Sequence, residues 1–550
     1  MKYAVGVDFG TLSARAVVID ENGRELAECV KEYPHAVLEE ALPSGEKLGV
    51  DWALQDPDDY LLCLSETVYN AVSEAGVSPE DIAGIGIDFT SCTVMPVKAD
   101  GTPLCKLEKY KDEPHAWPKL WKHHAAQYCA DIVNEVAERR GEEWLPYYGG
   151  KLSSEWTLAK SLQILHEAPE VYAEMDRIIE GGDWVIWQLC GREVHSECNA
   201  GYKVQWRPDS GYPSRAFLRE VDPGFENFGE KVQGELKPVG ARAGYVTEEM
   251  AEKCGLSTKT AVAVGIIDAH ASVPACGIAT GGKLLMAMGT STCHLLLSEV
   301  EKPVPGVCGV VRGGILPGLY AYEAGQSCVG DHFSWFIDNC LPESYWAEAH
   351  ERDISPHQVL REKAAGQQPG EHGLLALDWW NGVRSPLMDF DLSGVLLGLN
   401  LQTKPEDIYR ALIESTAYGT RTIIEAFKQT GVPVDGIYAG GGIARKDPMA
   451  MQIYADVCKV EIQIVDSSQS GALGSAILGF AAAECFGDVY DLVRKIGKAG
   501  NLKYTPQPEN AEIYEKLFAK YQKLSAYFGK GGNEVLHTLK TLRLNAKKEQ

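Results

Sequence analysis

The chain has 550 residues, which is too long for a single hydrophobic core and predicts two large domains. With 45% hydrophobic and 23% charged residues, its composition is typical of a globular protein rather than a disordered or fibrous one. The formal net charge of −25 argues against nucleic acid or an anionic membrane as the main partner, although a local pocket can still bind a small anion.

The first predicted element is a β-hairpin, "VGVDFGTLSARAVVID" at 5–20, in which two runs of β-branched residues flank a short loop. A tight turn needs only turn residues, yet this one carries Asp8, Thr11, Ser13 and Arg15 together. Taken alone, an ordinary β-turn is the better interpretation, because Gly, Thr and Ser are frequent in turns.

The same order of elements occurs twice in the chain. After the first hairpin, the pattern predicts a helix over 56–76 and a buried strand over 82–90. About half a chain later come a second hairpin at 284–299, a long amphipathic helix at 404–431 and a strand at 434–442. This repetition favours two duplicated α/β domains.

Two such domains suggest a phosphate site, because the second hairpin also has a Gly-Thr loop with further hydroxyls. Facing loops can donate backbone N–H and hydroxyl hydrogen bonds to one polyanion. Asp8 would then bind Mg²⁺ rather than a phosphate, and Arg15 would balance the charge. The P-loop near miss at 277–284 has Leu284 where the motif needs a hydroxyl, so we reject that alternative.

Further motifs lie in the second half of the chain and at the centre. Gly440–Gly442 separates a strand from a helix, which suits either a nucleoside lying against the backbone or a plain turn. The small residues at 470–479 indicate a helix face for close packing.

Asp268 ends a core strand, where it is suited to accept a hydroxyl proton or to cap a helix. Asp8 and Asp88 end comparable strands, so position alone does not choose among the three acids.

Together, "GVDFGTLSARAV", the strand ending in Asp268, "MGTST" and "AGGGIARKDPMAMQIYADV" resemble the FGGY family of carbohydrate kinases, from about residue 3 to about 490. The resemblance implies an α/β fold of two actin-like ATPase (ribonuclease H-like) domains with an interdomain cleft that closes on ATP, Mg²⁺ and a sugar. The implied domains are 1–277, with sugar-pocket insertions, 278–490, on the nucleotide side, and 491–550, a C-terminal helical extension.

The resemblance also implies roles for single residues. Asp268 takes the place of the catalytic base, and Asp8 that of the metal-associated carboxylate. The residues implied to bind ATP are Thr11, Ser13, Arg15, Thr290, Gly330, Gly441 and Gly442. Those implied to line the sugar pocket are Ser91, Trp121, Lys203, Asp268 and Glu323. Leu12 departs from the family pattern, in which many members have a third hydroxyl, so the first loop has one donor fewer.

Several stretches are most similar to family members that act on L-ribulose: "GIGIDFTSCTVMPV", "LWKHHAA", "GGKLSSEWTLAKSLQ", "SECNAGYKVQW" and "YEAGQSCVGDHFSWF". They imply phosphorylation of L-ribulose at carbon 5, in L-arabinose catabolism. The alternatives are a kinase for D-ribulose, xylulose, ribitol or glycerol, and an actin-like or chaperone-like ATPase acting on a protein partner.

Location and assembly are also expectations at this stage. The 15 cysteines are scattered singly, and no apolar run is long enough to span a membrane, so we expect reduced thiols and a cytoplasmic protein. No partner among nucleic acids or membranes is expected. The family resemblance favours a homodimer, although no interface can be recognised in the sequence.

Overall fold

The computed structural model describes residues 1–466 and 469–548. They form two compact units. Unit 1 comprises Met1–Ala279, Val310–Ala321 and Ser467–Lys498; unit 2 comprises Thr280–Gly309, Tyr322–Asp466 and Ala499–Gln550. The units group residues by contact in space, and the predicted domain bounds along the sequence (1–277, 278–490 and 491–550), like the predicted cleft, stay predictions.

Unit 1 contains strands and helices numbered here in chain order. Its strands are β1 (Tyr3–Phe9), β2 (Ser13–Asp20), β3 (Glu25–Glu32), β4 (Ile82–Phe89), β5 (Val94–Val97), β6 (Arg177–Glu180), β7 (Val194–Ser196), β8 (Glu235–Lys237), β9 (Arg242–Tyr245), β10 (Ala261–Ala263) and β11 (Ile266–Ile267). Its α-helices are α1 (Pro57–Ala75), α2 (Gln127–Arg140), α3 (Thr157–Glu167), α4 (Pro169–Glu174), α5 (Gly181–Cys190), α6 (Glu197–Lys203), α7 (Arg215–Val221), α8 (Phe228–Lys231), α9 (Glu248–Cys254), α10 (Asp268–Ala275), α17 (Ser470–Ala483) and α18 (Val489–Ile496). Short 3₁₀ turns lie at Pro79–Asp81, Leu104–Lys106, Pro114–Ala116, Leu145–Tyr148 and Pro223–Phe225.

Unit 2 is built from the remaining elements, and β14 and β15 span the points where the chain passes from one unit to the other. The strands are β12 (Lys283–Met288), β13 (Thr292–Ser298), β14 (Gly309–Arg312), β15 (Tyr320–Gln326), β16 (Leu375–Leu377), β17 (Val395–Leu397), β18 (Gly436–Gly440), β19 (Ile462–Val465) and β20 (Ala499–Tyr504). The helices are α11 (Gly330–Cys340), α12 (Glu343–Glu351), α13 (Pro356–Ala364), α14 (Pro405–Gln429), α15 (Gly442–Lys446), α16 (Pro448–Cys458), α19 (Pro508–Gly529) and α20 (Val535–Lys548).

The main sheet of unit 1 has the strand order β3-β2-β1-β4-β10-β9, with β11 paired to β4. The predicted first hairpin is confirmed, since β1 and β2 pair antiparallel from Tyr3 opposite Asp20 to Phe9 opposite Ala14. β4 runs parallel to β1 in the next position, so the carboxyl ends of both strands lie at one edge. The apolar side chains of these central strands are buried in the core of the unit.

Helix α17 packs on the central strands of this sheet, and its small residues allow the backbones to touch. A Cβ on Gly6 would lie 1.8 Å from the carbonyl oxygen of Ala472, and one on Gly84 would lie 1.9 Å from that of Gly479. No larger side chain fits at such a distance. The structure therefore confirms the close-packing face predicted at 470–479.

Unit 1 also has a second hydrophobic core, which carries the segments inserted between β4 and β9. It includes Val133 of α2 and Leu158 and Leu162 of α3, all fully buried. Helix α1 packs on the main sheet instead; Asp56 caps its first turn, and Gly76 ends it in the left-handed conformation, as the sequence predicts. Within this second core, α3 packs against α2 and α4.

The sheet of unit 2 repeats this plan, with neighbours β15-β13-β12-β18-β19-β20. β12 and β13 form the predicted second hairpin, from Lys283 opposite Leu297 to Met288 opposite Thr292, and β18 runs parallel to β12. Hairpin, helix and parallel strand thus recur in both units, as expected for duplicated domains. The segment 491–550, predicted to be helical, contains α19 and α20 but also β20, which forms an edge of this sheet.

Two further expectations concern the whole chain. The 15 cysteines are reduced thiols and most are buried, as their scattered spacing predicts. Among the described residues, no helix is both long and apolar enough to cross a membrane.

Candidate active site

Three carboxylates lie at the same edge of the unit 1 sheet. Asp8 of β1 stands opposite Asp88 of β4 in the parallel register, and Ile266 of β11 stands on the other side of Asp88. Asp268 follows β11 directly. Because parallel strands present their carboxyl ends at one edge, three strands that each end near an aspartate build one acidic cluster.

The middle acid of this cluster, Asp88, is fully buried. Burial raises the pKa of its carboxyl well above the usual value, and the negative charges of Asp8 and Asp268 raise it further. Its Oδ2 accepts a hydrogen bond of 2.6 Å from the Ser475 hydroxyl, while Oδ1 has no partner among the described residues. The raised pKa favours the protonated form of Asp88.

Asp268, the predicted base, is only partly buried. Its Oδ1 accepts a hydrogen bond of 2.7 Å from the backbone N–H of Ala269, in the first turn of α10. The cap position of α10 is Ile267 and no side chain caps this helix, so the helix-cap role considered for Asp268 is not observed. The assignment of Asp268 as the base stays a prediction.

The first predicted phosphate loop is held from both sides. Within it, the N–H of Gly10 donates to the carbonyl of Ser13 at 3.0 Å. The Tyr33 hydroxyl donates to the Gly10 carbonyl at 3.0 Å, and the side-chain amide of Gln55 donates to the Thr11 carbonyl at 2.8 Å. These bonds occupy the carbonyls, so the loop can present its hydroxyls and N–H groups to a ligand.

Arg15 lies next to this loop, opposite Asp8 in the hairpin register. One guanidinium N–H donates to the side-chain carbonyl of Gln469 at 2.6 Å. The Arg15 Nε is buried and has no acceptor among the described residues. A guanidinium with incomplete hydrogen bonding beside a hydroxyl loop suits an anionic ligand such as a phosphate.

In unit 2, the loop after β12 contacts the start of α11. The N–H of Gly330 donates to the Gly289 carbonyl at 3.0 Å, and the N–H of Val329 donates to the Thr290 carbonyl at 2.8 Å. A Cβ on Gly330 would lie 2.6 Å from the Gly289 oxygen, so the contact requires glycine. Thr290 itself is exposed, and the amino end of an 11-residue helix lies beside it.

The triple glycine of unit 2 packs against the same end of β12. Gly441 has φ of +98°, and a Cβ there would lie 2.1 Å from the Met288 carbonyl oxygen, so only glycine is accommodated. A Cβ on Gly442 would meet no atom within 4 Å, which leaves its face open. Thr290, Gly330 and Gly441 are thus brought together around one strand end, with Gly442 next in the chain.

Two of the predicted sugar residues, Trp121 and Lys203, lie in unit 1. The indole N–H of Trp121 donates to the Thr11 hydroxyl at 3.1 Å. Lys203, the last residue of α6, is buried, and its Nζ lies 5.9 Å from the centre of the Trp156 ring. The structure therefore brings Trp121 to Thr11, while the placement of Lys203 in the sugar pocket stays a prediction.

Glu323, the predicted sugar residue of unit 2, lies on β15 and is buried. Its Oε1 accepts a hydrogen bond of 2.9 Å from the Arg384 guanidinium. Buried glutamates need such partners, and Arg384 supplies one from 61 residues away.

The comparisons with known proteins agree with this arrangement. Residues 3–274 match the N-terminal domain, and residues 284–483 the C-terminal domain, of the FGGY family of carbohydrate kinases. The chain belongs to this family. It is 51% identical over 549 residues to a ribulokinase of Halalkalibacterium halodurans, covering 98% of each chain. It is 52% identical over 539 residues to a ribulokinase of Bacillus licheniformis, covering 97% of this chain and 98% of the other.

A solved structure confirms the fold of this FGGY kinase. The xylulose kinase from Rhodospirillum rubrum matches with a TM-score of 0.79 at 23% identity, covering 96% of this chain and 98% of that one. The predicted fold class, two actin-like α/β domains, is therefore correct. As a member of the family, the protein is a carbohydrate kinase with ATP as co-substrate.

Among the described residues, no group of three or more His, Cys, Asp or Glu side chains could hold a metal ion. Mg²⁺ is commonly bound by one or two carboxylates together with substrate phosphates and water, so the partly exposed Asp8 suits this role. Asp8 as the metal-associated residue stays a prediction.

Some residues of the site were not indicated by the sequence. Asp88 was recognised only as another strand-end acid, and its neutrality depends on burial under α17. Gln469 and Arg384 reach their partners, Arg15 and Glu323, from distant parts of the chain. No local pattern marks such pairings; the available signal for Arg384 was that a buried Glu323 requires a donor.

Proposed function

We propose that this FGGY kinase transfers the γ-phosphoryl group of ATP to the C5 hydroxyl of L-ribulose. The observation that carries the choice of sugar is identity of about one half with ribulokinases along nearly the whole chain. The reaction class follows from family membership. L-Arabinose catabolism is the setting in which this activity supplies a phosphorylated ketopentose.

In the proposed reaction, Asp268 accepts the proton of the sugar hydroxyl as its oxygen attacks the γ-phosphorus. The new O–P bond forms while the bond to the ADP oxygen breaks. The hydrogen bond from Ala269 orients the Asp268 carboxylate. Asp88, being neutral, adds no third negative charge beside the reacting phosphate.

The phosphates of ATP are bound in this proposal by hydroxyls, N–H groups and one guanidinium. The residues proposed to bind phosphate are Thr11, Ser13 and Arg15, the Thr290 loop and the amino end of α11 at Gly330. Mg²⁺, which Asp8 would hold, supplies further neutralisation of the phosphate charge when it is bound with ATP. The open face at Gly442, beside Gly441, is the proposed adenosine side.

The sugar hydroxyls are bound by side chains that the structure holds in place. Trp121 is oriented by Thr11, and Glu323 by Arg384. Lys203 and Glu323 suit the hydroxyls of a ketopentose, since an ammonium donates and a carboxylate accepts hydrogen bonds. Ser91 supplies a further hydroxyl from the turn after β4.

The first experiment measures ADP release with ATP and Mg²⁺ in the presence of L-ribulose, D-ribulose, L- and D-xylulose, ribitol, glycerol or no sugar. We expect strong stimulation by L-ribulose. Stimulation by another polyol alone would keep the phosphoryl transfer but refute the sugar assignment. Equal ADP release with and without every sugar would refute the kinase proposal and favour an ATPase acting on a protein partner.

We further propose that the enzyme acts in the cytoplasm as a homodimer. The reduced state of its 15 cysteines supports a reducing compartment. Light scattering of the purified protein gives the molar mass; a mass near 60.1 kDa, that of one chain, would refute the dimer.

A further inference from the structure

A buried ammonium group outside the predicted site lies on helix α3. Lys160 has no exposed surface. Its Nζ donates to three backbone carbonyls, those of Cys92 at 2.6 Å, Leu120 at 2.8 Å and Lys119 at 3.4 Å. A lysine ammonium has three N–H donors, so each one is used by a carbonyl rather than by a carboxylate.

The three carbonyls belong to two separate turns, and each turn carries a residue proposed to bind the sugar. Cys92 directly follows Ser91, and Leu120 directly precedes Trp121. The ammonium of Lys160 therefore joins the Ser91 turn to the Trp121 turn. Through the bond from Trp121 to Thr11, the same connection continues to the first phosphate loop.

The backbone of the Ser91 turn is strained, so this turn has to be held in place by its surroundings. Cys92 has φ of +59°, a left-handed conformation that residues other than glycine rarely adopt. Strain of this kind persists only where the surroundings hold it, and it concentrates at ligand sites. The short hydrogen bond from Lys160 to the Cys92 carbonyl is a direct restraint on this residue.

A fully buried ammonium is a costly way to join two turns. Burial raises the pKa of the nearby Glu180 carboxyl, and the charge of Lys160 opposes this shift. Burial also lowers the pKa of Lys160 to about 8. An apolar side chain would avoid this cost but would leave the Cys92 carbonyl without a donor among the described residues, while the Lys119 and Leu120 carbonyls would keep the N–H groups of Val94 and His123. The hydrogen bond to Cys92 therefore favours a role beyond packing.

We propose that Lys160 is a positioning residue for the sugar: its ammonium sets the placement of the Ser91 and Trp121 turns and thereby the affinity for the ketopentose. This inference rests on the proposed function, because Ser91 and Trp121 are assigned to the sugar there. Lys160 does not touch the reacting atoms in this proposal. Its loss therefore acts on sugar binding and leaves phosphoryl transfer at saturating sugar largely intact.

The test compares Lys160→Met with Lys231→Met as the matched control. Lys231 is also a buried lysine of unit 1, and its Nζ donates to the Met175 carbonyl at 2.8 Å, away from both turns. We expect Lys160→Met to raise the KM for L-ribulose about tenfold or more, with kcat and the KM for ATP changed less than about threefold. Lys231→Met should leave all three constants near the wild-type values.

Lys160→Gln provides the partial rescue, because its amide keeps two N–H donors on a shorter side chain. We expect a KM between those of the wild type and Lys160→Met, and this variant carries the test if Lys160→Met does not fold, as judged by its thermal melt. An unchanged KM in the folded Lys160 variants, or an equal rise in Lys231→Met, would overturn the inference.

Failure of the proposed function is recognised separately, from the wild-type enzyme. If another sugar proves to be the substrate, the same variants are measured with that sugar. A selective rise in its KM would then support the positioning role of Lys160 although the assignment to L-ribulose was wrong.

Discussion

At the scale of single residues, the chemistry of the site depends on which carboxyl groups carry a proton. Asp8, Asp88 and Asp268 lie at one sheet edge, yet only Asp88 is fully buried. Burial and the two neighbouring charges raise the pKa of Asp88 well above its usual value, while the partly exposed Asp8 and Asp268 are the acids proposed to meet a metal ion and a sugar hydroxyl. Similar residues thus acquire different roles from their surroundings.

Replacing the proposed base, as in Asp268→Asn, should lower kcat for sugar phosphorylation by about 10²–10⁴-fold, because the amide cannot accept the hydroxyl proton. Binding of ATP should persist, since the phosphate loops are unchanged. Steady-state kinetics and calorimetric titration with ATP measure the two effects. Turnover close to that of the wild type would remove Asp268 from the base role.

Asp88→Asn tests the neutral acid through the pH dependence of stability. Because the pKa of Asp88 is raised in the folded state, the folded protein binds more protons than the unfolded one above the ordinary carboxyl pKa. This contribution to the free energy of unfolding is present at low pH and is lost as pH rises. We expect Asp88→Asn to gain stability relative to the wild type between pH 5 and pH 8, measured by urea unfolding.

Asp88→Asn keeps the size of the side chain, so the comparison isolates ionisation. A stability difference between the variant and the wild type that is the same at both pH values would show that Asp88 has an ordinary pKa in the folded protein. The kinetic effect of the substitution is measured separately.

Lys119 offers a contrast with Lys160, because its buried Nζ has no hydrogen-bond acceptor among the described residues and lies 4.6 Å from the centre of the Trp52 ring. Burial, followed by the charge of Lys160, lowers its pKa to about 7, against smaller opposing effects of Glu167 and Glu113. Between pH 7 and its ordinary pKa the unfolded state binds more protons, so the wild type gains stability as pH rises.

We therefore expect Lys119→Met to raise the Tm by about 2–4 °C at pH 6, with a smaller gain at pH 9. Lys160→Met should lower the Tm, since it removes three hydrogen bonds and leaves the buried Cys92 carbonyl without a donor among the described residues. Calorimetry at both pH values checks the two signs. A lower Tm of Lys119→Met at pH 6 would show that this ammonium stabilises the fold.

At the scale of elements, the contact of α17 with the main sheet of unit 1 depends on small residues on both sides. Gly84→Ala would place a Cβ 1.9 Å from the backbone oxygen of Gly479, and neither backbone can move alone. We expect a loss of about 3 kcal/mol or more in the free energy of unfolding, or failure to fold. Urea unfolding measures it.

The control for this prediction is Gly229→Ala in α8 of the same unit, where a Cβ meets no atom within 4 Å. Alanine is the better helix former, so this variant should be as stable as the wild type or slightly more stable. Equal effects of the two substitutions would show that α17 does not pack on β4 as closely as the structure has it.

Local sequence patterns predicted which segments are strands or helices more reliably than they predicted which of these elements pack together. Alternating β-branched residues predicted both hairpins, and capping residues placed α1, since these signals lie within a few residues. The packing of α17 on β1 and β4 was not predictable, because nearly 400 residues separate the contacting backbones. The sequence showed only that one face of α17 was small.

At the scale of the whole molecule, the two units share one plan, and this was visible in the repeated order of hairpin, helix and strand. The segment 491–550, predicted to be a helical extension, also contains a strand, β20, which pairs with β19 in the sheet of unit 2. Edge strands lack a distinctive pattern when their partners are distant.

The sequence by itself determined the local chemistry: loops with hydroxyls after a strand, an acid at each of three strand ends, and glycines where chains touch. These follow from turn preferences and periodicity, which act over a few residues. Only the tertiary structure decided that the pKa of Asp88 is raised, that Arg384 donates to Glu323 and that Lys160 joins the turns of Ser91 and Trp121. Proton affinity and hydrogen-bond partners depend on burial by remote segments, and no short stretch of sequence contains that information.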